Sequence, residues 1–202
     1  MHATDDEIHE KYLERAIREI NSLTHDLHGC EGCPRGEALP VIGSGHPQAD
    51  VFLLKHHASR AEIEEGVAFY GRGGTAVLKS LRRLGIDPST IYGTLCVKCP
   101  LEDPTAAADE ACVRRVVEEL AIVQPRIVVV MGSDALEVLN ALRVPLAEPL
   151  EDLPGVLQRF TPSCQALVTP SIDGALDELE AKQAFWTAFR ELGRWHEALP
   201  PY

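Results

Sequence analysis

Four cysteines in two distant segments constrain this chain more than any other feature. Cys30 and Cys33 stand in HGCEGCPRG, Cys99 in VKCPLEDPT and Cys112 in DEACVRR. The first pair is a C-x-x-C closed by Gly32, a tight turn that aims two thiolates at one metal. The second pair comes much later, across a loop rich in Pro and Asp. Four soft ligands divided in this way suit zinc or an iron–sulfur cluster. Either would tie an N-terminal helix to the middle of the fold. Cys96 makes a second C-x-x-C with Cys99, so spacing alone also admits a C-x-x-C…C-x-x-C zinc set. A redox pair and ordinary buried thiols are the non-metal alternatives.

Six cysteines without a secretory signal point to a reducing compartment and to metal binding in place of disulfides. A cytoplasmic location is the expectation. The opening residues, MHATDDEIHEKYLERA, are acidic and amphipathic, unlike a signal or transit peptide. No apolar run approaches the ~20 residues of a membrane span, so no membrane partner is expected. A length of 202 residues, 45% hydrophobic and 25% charged, fits one soluble domain over 1–202, expected as a monomer. A net charge of −12 argues against a dedicated nucleic-acid binder, because phosphate neutralisation supplies most of such a protein's affinity. Arg72, Lys79, Arg82, Arg83, Lys98, Arg114 and Arg115 nevertheless gather in one middle stretch. They leave DNA a local basic strip as its route of approach. Scattered solvated charge is the plainer reading, and the acidic balance suits a protein partner.

The periodicity predicts a helix over 4–27, capped by Thr4 or Asp5, with Ile8, Tyr12, Ala16, Ile17, Ile20 and Leu23 at helical spacing. Residues 28–36 and 96–112 form the two cysteine loops. VFLLK at 51–55, IYGTLCVKC at 91–99 and RIVVVMG at 126–132 read as strands. Helices are expected from about Thr75 to Leu84, from Asp103-Pro104-Thr105 to Gln124, and over ALEVLNAL behind a Ser133 or Asp134 cap. A hairpin near Val156–Phe160, the run CQALVTPS and a terminal helix complete the chain. In that helix Phe185, Trp186, Phe189 and Trp195 are spaced for packing. Alternation of strand and helix predicts an α/β sandwich, a central mostly parallel sheet with helices on both faces. Gly71, Gly73 and Gly74 lack the lysine and threonine of a Walker phosphate loop.

Taken in order, several segments resemble the iron–sulfur, family-four branch of the uracil-DNA glycosylases. The family's G-x-P-F-V-G-R-A-G segment is similar to Gly66-Val67-Ala68-Phe69-Tyr70-Gly71-Arg72-Gly73-Gly74. Its Y-x-T-N-x-x-K-C-R-P segment resembles Tyr92-Gly93-Thr94-Leu95-Cys96-Val97-Lys98-Cys99-Pro100, and its P-x-x-I-x-x-L-G strand resembles the stretch from Pro125 to Gly132. The resemblance runs from about Cys30 to Phe189. It implies the uracil-DNA glycosylase fold and a structural 4Fe–4S cluster on Cys30, Cys33, Cys99 and Cys112, with zinc as the alternative metal. Cys96 and Cys164 then fall outside the ligand set as core thiols.

The same resemblance exposes a diverged pocket. Excising a base requires an aromatic platform for the flipped base, an amide that reads its edge, and a donor for the charge developing on it. A carboxylate or polar group must also position water. The family's G-E-A-P-G loop falls on Lys55-His56-His57-Ala58-Ser59, its edge-reading asparagine on Leu95, and the histidine of its C-terminal H-P-S/A motif on Thr169. The aromatic platform is retained as Phe69. Loss of one donor at a developing oxyanion typically costs about 3–4 kcal/mol, so ordinary uracil excision is not expected. Two readings follow. One is a protein of DNA base-excision repair that hydrolyses a base–sugar bond through a rebuilt pocket, with His56 and His57 as acid/base or electrostatic groups beside Phe69. Lys55, Ser59, Arg60 and Arg72 would then meet phosphate or substrate. The other is a non-catalytic relative that keeps the cluster and binds DNA or a protein partner. Arg72 and Lys98 match family positions near the DNA-facing side, and Arg72 equally suits bracing the glycine loop.

Overall fold

The computed structural model describes residues 5–33, 35–100 and 110–200. Thr4, the expected helix start at Asp103-Pro104-Thr105 and the greater part of the second cysteine loop lie outside them. Helix α1 (Asp5–His28) is followed by β1 (Ser44–Gly45), β2 (Val51–Lys55), α2 (Arg60–Glu65) and α3 (Gly71–Arg83). Then come β3 (Ile91–Leu95), α4 (Glu110–Val123), β4 (Ile127–Met131) and α5 (Ser133–Ala141). The hairpin β5 (Leu157–Thr161) and β6 (Cys164–Thr169) precedes α6 (Ile172–Ala175) and α7 (Leu179–Glu197).

One six-stranded sheet runs β1-β3-β2-β4-β6-β5. Its inner strands β3, β2, β4 and β6 are parallel, and both edge strands are antiparallel. Every residue of β2, β3 and β4 is buried, as a parallel sheet covered on both faces requires. Side chains alternate across the pleat. Leu53, Val129 and Leu167 pack against α3, α6 and α7, where Leu81, Ile172 and Phe189 meet them. Phe52, Val130 and Val168 pack against α4 and α5 through Val116, Leu120 and Leu136. The expected α/β sandwich is therefore the observed one.

Register matters most for function. Lys55 pairs with Leu95 on one side and Met131 on the other, and Met131 pairs with Thr169. The four parallel strands thus end flush, in the row Leu95–Lys55–Met131–Thr169. The chain leaves β2 toward β3 and returns past it to β4, so the strand order reverses beside Lys55. Ligands of open α/β sheets gather outside the carboxyl ends at such a reversal.

Several elements differ from expectation for identifiable reasons. α1 buries Ala16, Leu23 and Leu27 but leaves Ile8, Tyr12 and Ile17 exposed, so only part of the apolar stripe meets the body. α3 begins at Gly71, ahead of Thr75, because its glycines serve a close approach: a Cβ on Gly74 would lie 1.5 Å from the Phe69 carbonyl oxygen. α5 takes Gly132, at φ 95°, as its N-cap, which draws Ser133 and Asp134 into the first turn. The terminal helix is α7, and the short α6 before it is an addition to the expected elements.

Lys98 is the clearest correction. It is 1% exposed and cannot belong to a surface strip. Its Nζ donates to Glu119 Oε2 at 2.7 Å, to Thr94 Oγ1 at 2.7 Å and to the Leu95 carbonyl at 2.8 Å. Glu119 Oε1 accepts from Tyr92 Oη and Thr94 Oγ1, which bolts α4 to β3. Removing one partner of a buried pair strands the other charge, at a cost of about 3–5 kcal/mol. Glu119→Ala is therefore expected to lower stability by roughly that amount. The check is the midpoint of urea unfolding.

Candidate functional site

Alternation along the strands turns Leu95, Lys55, Met131 and Thr169 toward the face that carries α3, α6 and α7. Phe69 lies on that face. Its ring rests on β3, where a Cβ on Gly93 would stand 2.5 Å from Phe69 Cδ2. The residue has φ 59°, a left-handed conformation that a bulky side chain adopts only when its surroundings impose it. Glu62 supplies the constraint. Its Oε1 accepts from the Phe69 backbone N–H at 2.6 Å, and its Oε2 accepts from Ser59 N at 2.6 Å and Ser59 Oγ at 2.7 Å. Ser59 and Glu62 form the capping box of α2.

Lys55 completes the arrangement. Its ammonium lies 2.7 Å from Glu62 Oε2 and 2.9 Å from Asp173 Oδ2, and 6.0 Å from the centroid of the Phe69 ring. It is engaged inside the protein, away from any phosphate at the surface. Exposure is 0% for Leu95, 4% for Lys55, 1% for Thr169 and 9% for Phe69, so the side chains that would line a base pocket are packed together. The Thr169 hydroxyl donates to the Pro170 carbonyl. Asp173 keeps a solvent-facing edge on α6, with Gly73 beside it. Glu62 and Asp173 were not singled out from sequence. The S-x-x-E pattern Ser59–Glu62 was a legible signal for the first, whereas Asp173 carries none.

The two histidines stand just beyond Lys55. His56 is half-buried, His57 is exposed, and their Nδ1 atoms are 3.1 Å apart. Burial, then the neighbouring His57, lowers the His56 pKa, against an opposing pull from Asp134 and Glu137 of α5. The charged neighbours of His56 are thus on α5, while Phe69 is held by Glu62 and packed on β3. Arg72 donates to the Leu176 carbonyl at 2.9 Å and pairs with Asp177 at 2.9 Å, bracing the α6–α7 junction.

On the far side of β3, the Cys33, Cys99 and Cys112 sulfurs lie within 4.8 Å of one another in a buried group. Cys99 and Cys112 lie side by side, and a hydrogen bond between them moves their thiols in opposite directions. That bond, followed by backbone N–H groups of Lys98 and Cys99, pulls Cys112 down to about 5 and pushes Cys99 up. Three buried sulfurs this close together are a donor set for zinc or for an iron–sulfur cluster. Cys30 is half-buried and stands outside this group of three. The Arg35 guanidinium holds its loop, with Nη2 donating to the Cys30 carbonyl at 2.9 Å and the His28 carbonyl at 3.1 Å. Cys96 turns to the opposite face, its sulfur 4.0 Å from the Ala135 carbonyl, and burial pushes its thiol up to about 12. Cys164 is buried and likewise pushed up to about 12.

The depressed pKa of His56 has a measurable sign. Near pH 6.5 the unfolded chain binds more protons at this site than the folded one, so the fold loses stability as pH falls below that value. In a pH titration followed by NMR, His56 is expected to titrate below the usual histidine range. His57→Ala should move it upward by removing the neighbouring positive charge, and an unchanged His56 midpoint would contradict this coupling.

The profile of the Uracil DNA glycosylase superfamily matches residues 42–193, from just before β1 to within α7. Cys30 and Cys33 precede that match. The type-4 uracil-DNA glycosylase of Pyrobaculum aerophilum is 27% identical over 144 residues, which are 68% of this chain and 72% of that protein. The type-4 enzyme of Thermotoga maritima is 26% identical over 130 residues, 62% of this chain and 67% of its own length. That of Archaeoglobus fulgidus is 23% identical over 126 residues, 60% and 63% of the two chains. With its sheet order, its gathered cysteines and a family match over most of its length, the chain belongs to the uracil-DNA glycosylase superfamily, on a family-four-like branch with diverged catalytic motifs.

Proposed function

We propose that this protein is a cluster-bearing member of the superfamily that works in the cytoplasm beside DNA base-excision repair, as a binding protein that does not remove uracil. One observation carries this reading. Lys55, at the position of the first glycine in the family's G-E-A-P-G loop, lies 6.0 Å from the Phe69 ring and is paired with Glu62 and Asp173, and Leu95 and Thr169 in the same strand-end row are 0% and 1% exposed. Phe69 then supports packing inside the protein in place of a flipped base.

Cys30, Cys33, Cys99 and Cys112 would hold a 4Fe–4S cluster, whose contribution is to tie the loop after α1 to the end of β3 and the start of α4. The acidic balance, the burial of Lys98 against Glu119 and the surface pairing of Arg72 with Asp177 favour a protein partner with a basic surface over bare DNA. A second reading, excision of another base through His56 and His57, is favoured by the lowered pKa of His56, which keeps that ring neutral and able to accept a proton near pH 7.

Two measurements test these readings. Oligonucleotides carrying uracil, hypoxanthine or xanthine, single- and double-stranded, are expected to stay intact with the loaded protein. Cleavage that His56→Ala abolishes would establish the second reading, and uracil cleavage indifferent to that change would overturn both. Anaerobically purified protein should be brown, with about four irons per chain. Colourless protein carrying zinc would remove the cluster assignment and leave the pocket argument standing.

A further inference from the structure

The cysteine centre has a neighbour whose hydrogen bonding is incomplete. Arg35 follows the C-x-x-C turn, and its backbone N–H donates to the Cys33 carbonyl at 2.8 Å. Both Nη2 bonds, to the carbonyls of His28 and Cys30, run to the segment that carries Cys30. They fix the guanidinium plane against the cysteine loop. Nη1 is sealed from solvent and has no hydrogen-bond partner. Buried side-chain donors are nearly always satisfied, and an arginine always carries its charge, so an open N–H here calls for an acceptor.

The chemistry of the surroundings says which acceptor. Cys33, Cys99 and Cys112 converge next to this loop, and a bound metal would require them as thiolates. Such a centre concentrates negative charge in a dry place. Nearby cations have other partners, for Lys98 is tied to Glu119 and Arg115 to Glu118. Arg35 alone combines a position on the loop with an open buried donor among the described residues.

We propose that Arg35 is a donor to the metal centre, with its Nη1–H hydrogen-bonded to an anionic sulfur of the centre while Nη2 anchors the Cys30 loop. The inference rests on the reading of the cysteines as a metal site and holds for either metal. Arg35 is here a positioning and tuning residue, since hydrogen bonds and charge near the sulfurs set both the retention and the potential of such centres.

The test uses the loaded full-length protein, with Arg35→Gln and Arg35→Lys. In Arg35→Gln, metal loss to a chelator should be about 10–100-fold faster. The midpoint potential of an iron–sulfur centre should become more negative, because the lost positive charge had favoured the reduced form. Arg35→Lys keeps the charge and loses the fork, so it should hold the potential near the parent value while releasing metal faster. A potential unchanged in Arg35→Gln would reduce Arg35 to a loop anchor and overturn the proposal. Should that variant fail to load, guanidinium NMR of the parent protein decides. An Arg35 Nη1 proton that exchanges slowly with metal bound and rapidly after its removal supports the donor role, and rapid exchange in both states overturns it. Iron content reports separately on the cluster reading. If the metal is zinc, release kinetics and the exchange measurement still judge Arg35.

Discussion

The carboxylate of Glu62 is the interaction on which the pocket end of this molecule depends. Fully buried, it accepts from Lys55, twice from Ser59 and once from the Phe69 backbone. A buried carboxylate without partners would be untenable, and four donors make it a fixed point. Through it the end of β2, the start of α2 and the left-handed Phe69 become one unit. Gly74 then extends that unit to α3, because only a residue without a side chain can lie on the Phe69 carbonyl. Glu62 is both a local helix cap and the anchor of the aromatic ring, so secondary structure and site architecture share one residue.

The segment after β3 joins the two centres. Leu95 closes the row at the strand ends, Cys96 enters the opposite core, Lys98 locks onto Glu119, and Cys99 reaches the sulfur group. Backbone bonds from Cys96 N to the Lys55 carbonyl and from Val97 N to the His56 carbonyl carry the pairing past the strand end. The wall of the pocket and the cysteine centre are thus opposite ends of one five-residue stretch. A metal held by Cys99 would, through this stretch, bear on the position of Leu95.

Much of this was legible in the sequence. β-branched runs such as RIVVVMG announced the buried parallel strands, and alternation of strand and helix announced the sandwich. The convergence of Cys33, Cys99 and Cys112 was legible in the C-x-x-C and in the resemblance. What periodicity could not convey was direction and partnership. Lys98 reads as one more surface cation, and only tertiary pairing with a glutamate twenty-one residues on makes it a core residue. Lys55 beside two histidines likewise suggests a phosphate loop, until the pleat turns it inward onto Glu62 and Asp173. Arg35 offers no pattern at all, since an orphaned donor exists only once the chain has folded around it.

The charge beside Phe69 bears on what the protein can do. Lys55 contributes one positive charge, and Glu62 and Asp173 contribute two negative ones, so the group carries a net negative charge next to Phe69. A departing base leaves as an anion and needs the opposite field. At an effective dielectric of about 20, one unit charge about 6 Å away is worth roughly 3 kcal/mol, somewhat less where Asp173 meets solvent. Leu95 adds no donor and Thr169 gives its hydroxyl hydrogen to Pro170. Even with Lys55 displaced, the remaining carboxylates would repel the leaving group more strongly. Burial of these side chains and the negative field therefore act in the same direction. A pocket rebuilt for excision would have to bring its positive charge from elsewhere, and the nearest titratable pair, His56 and His57, is held toward the neutral form at His56 by burial and mutual repulsion.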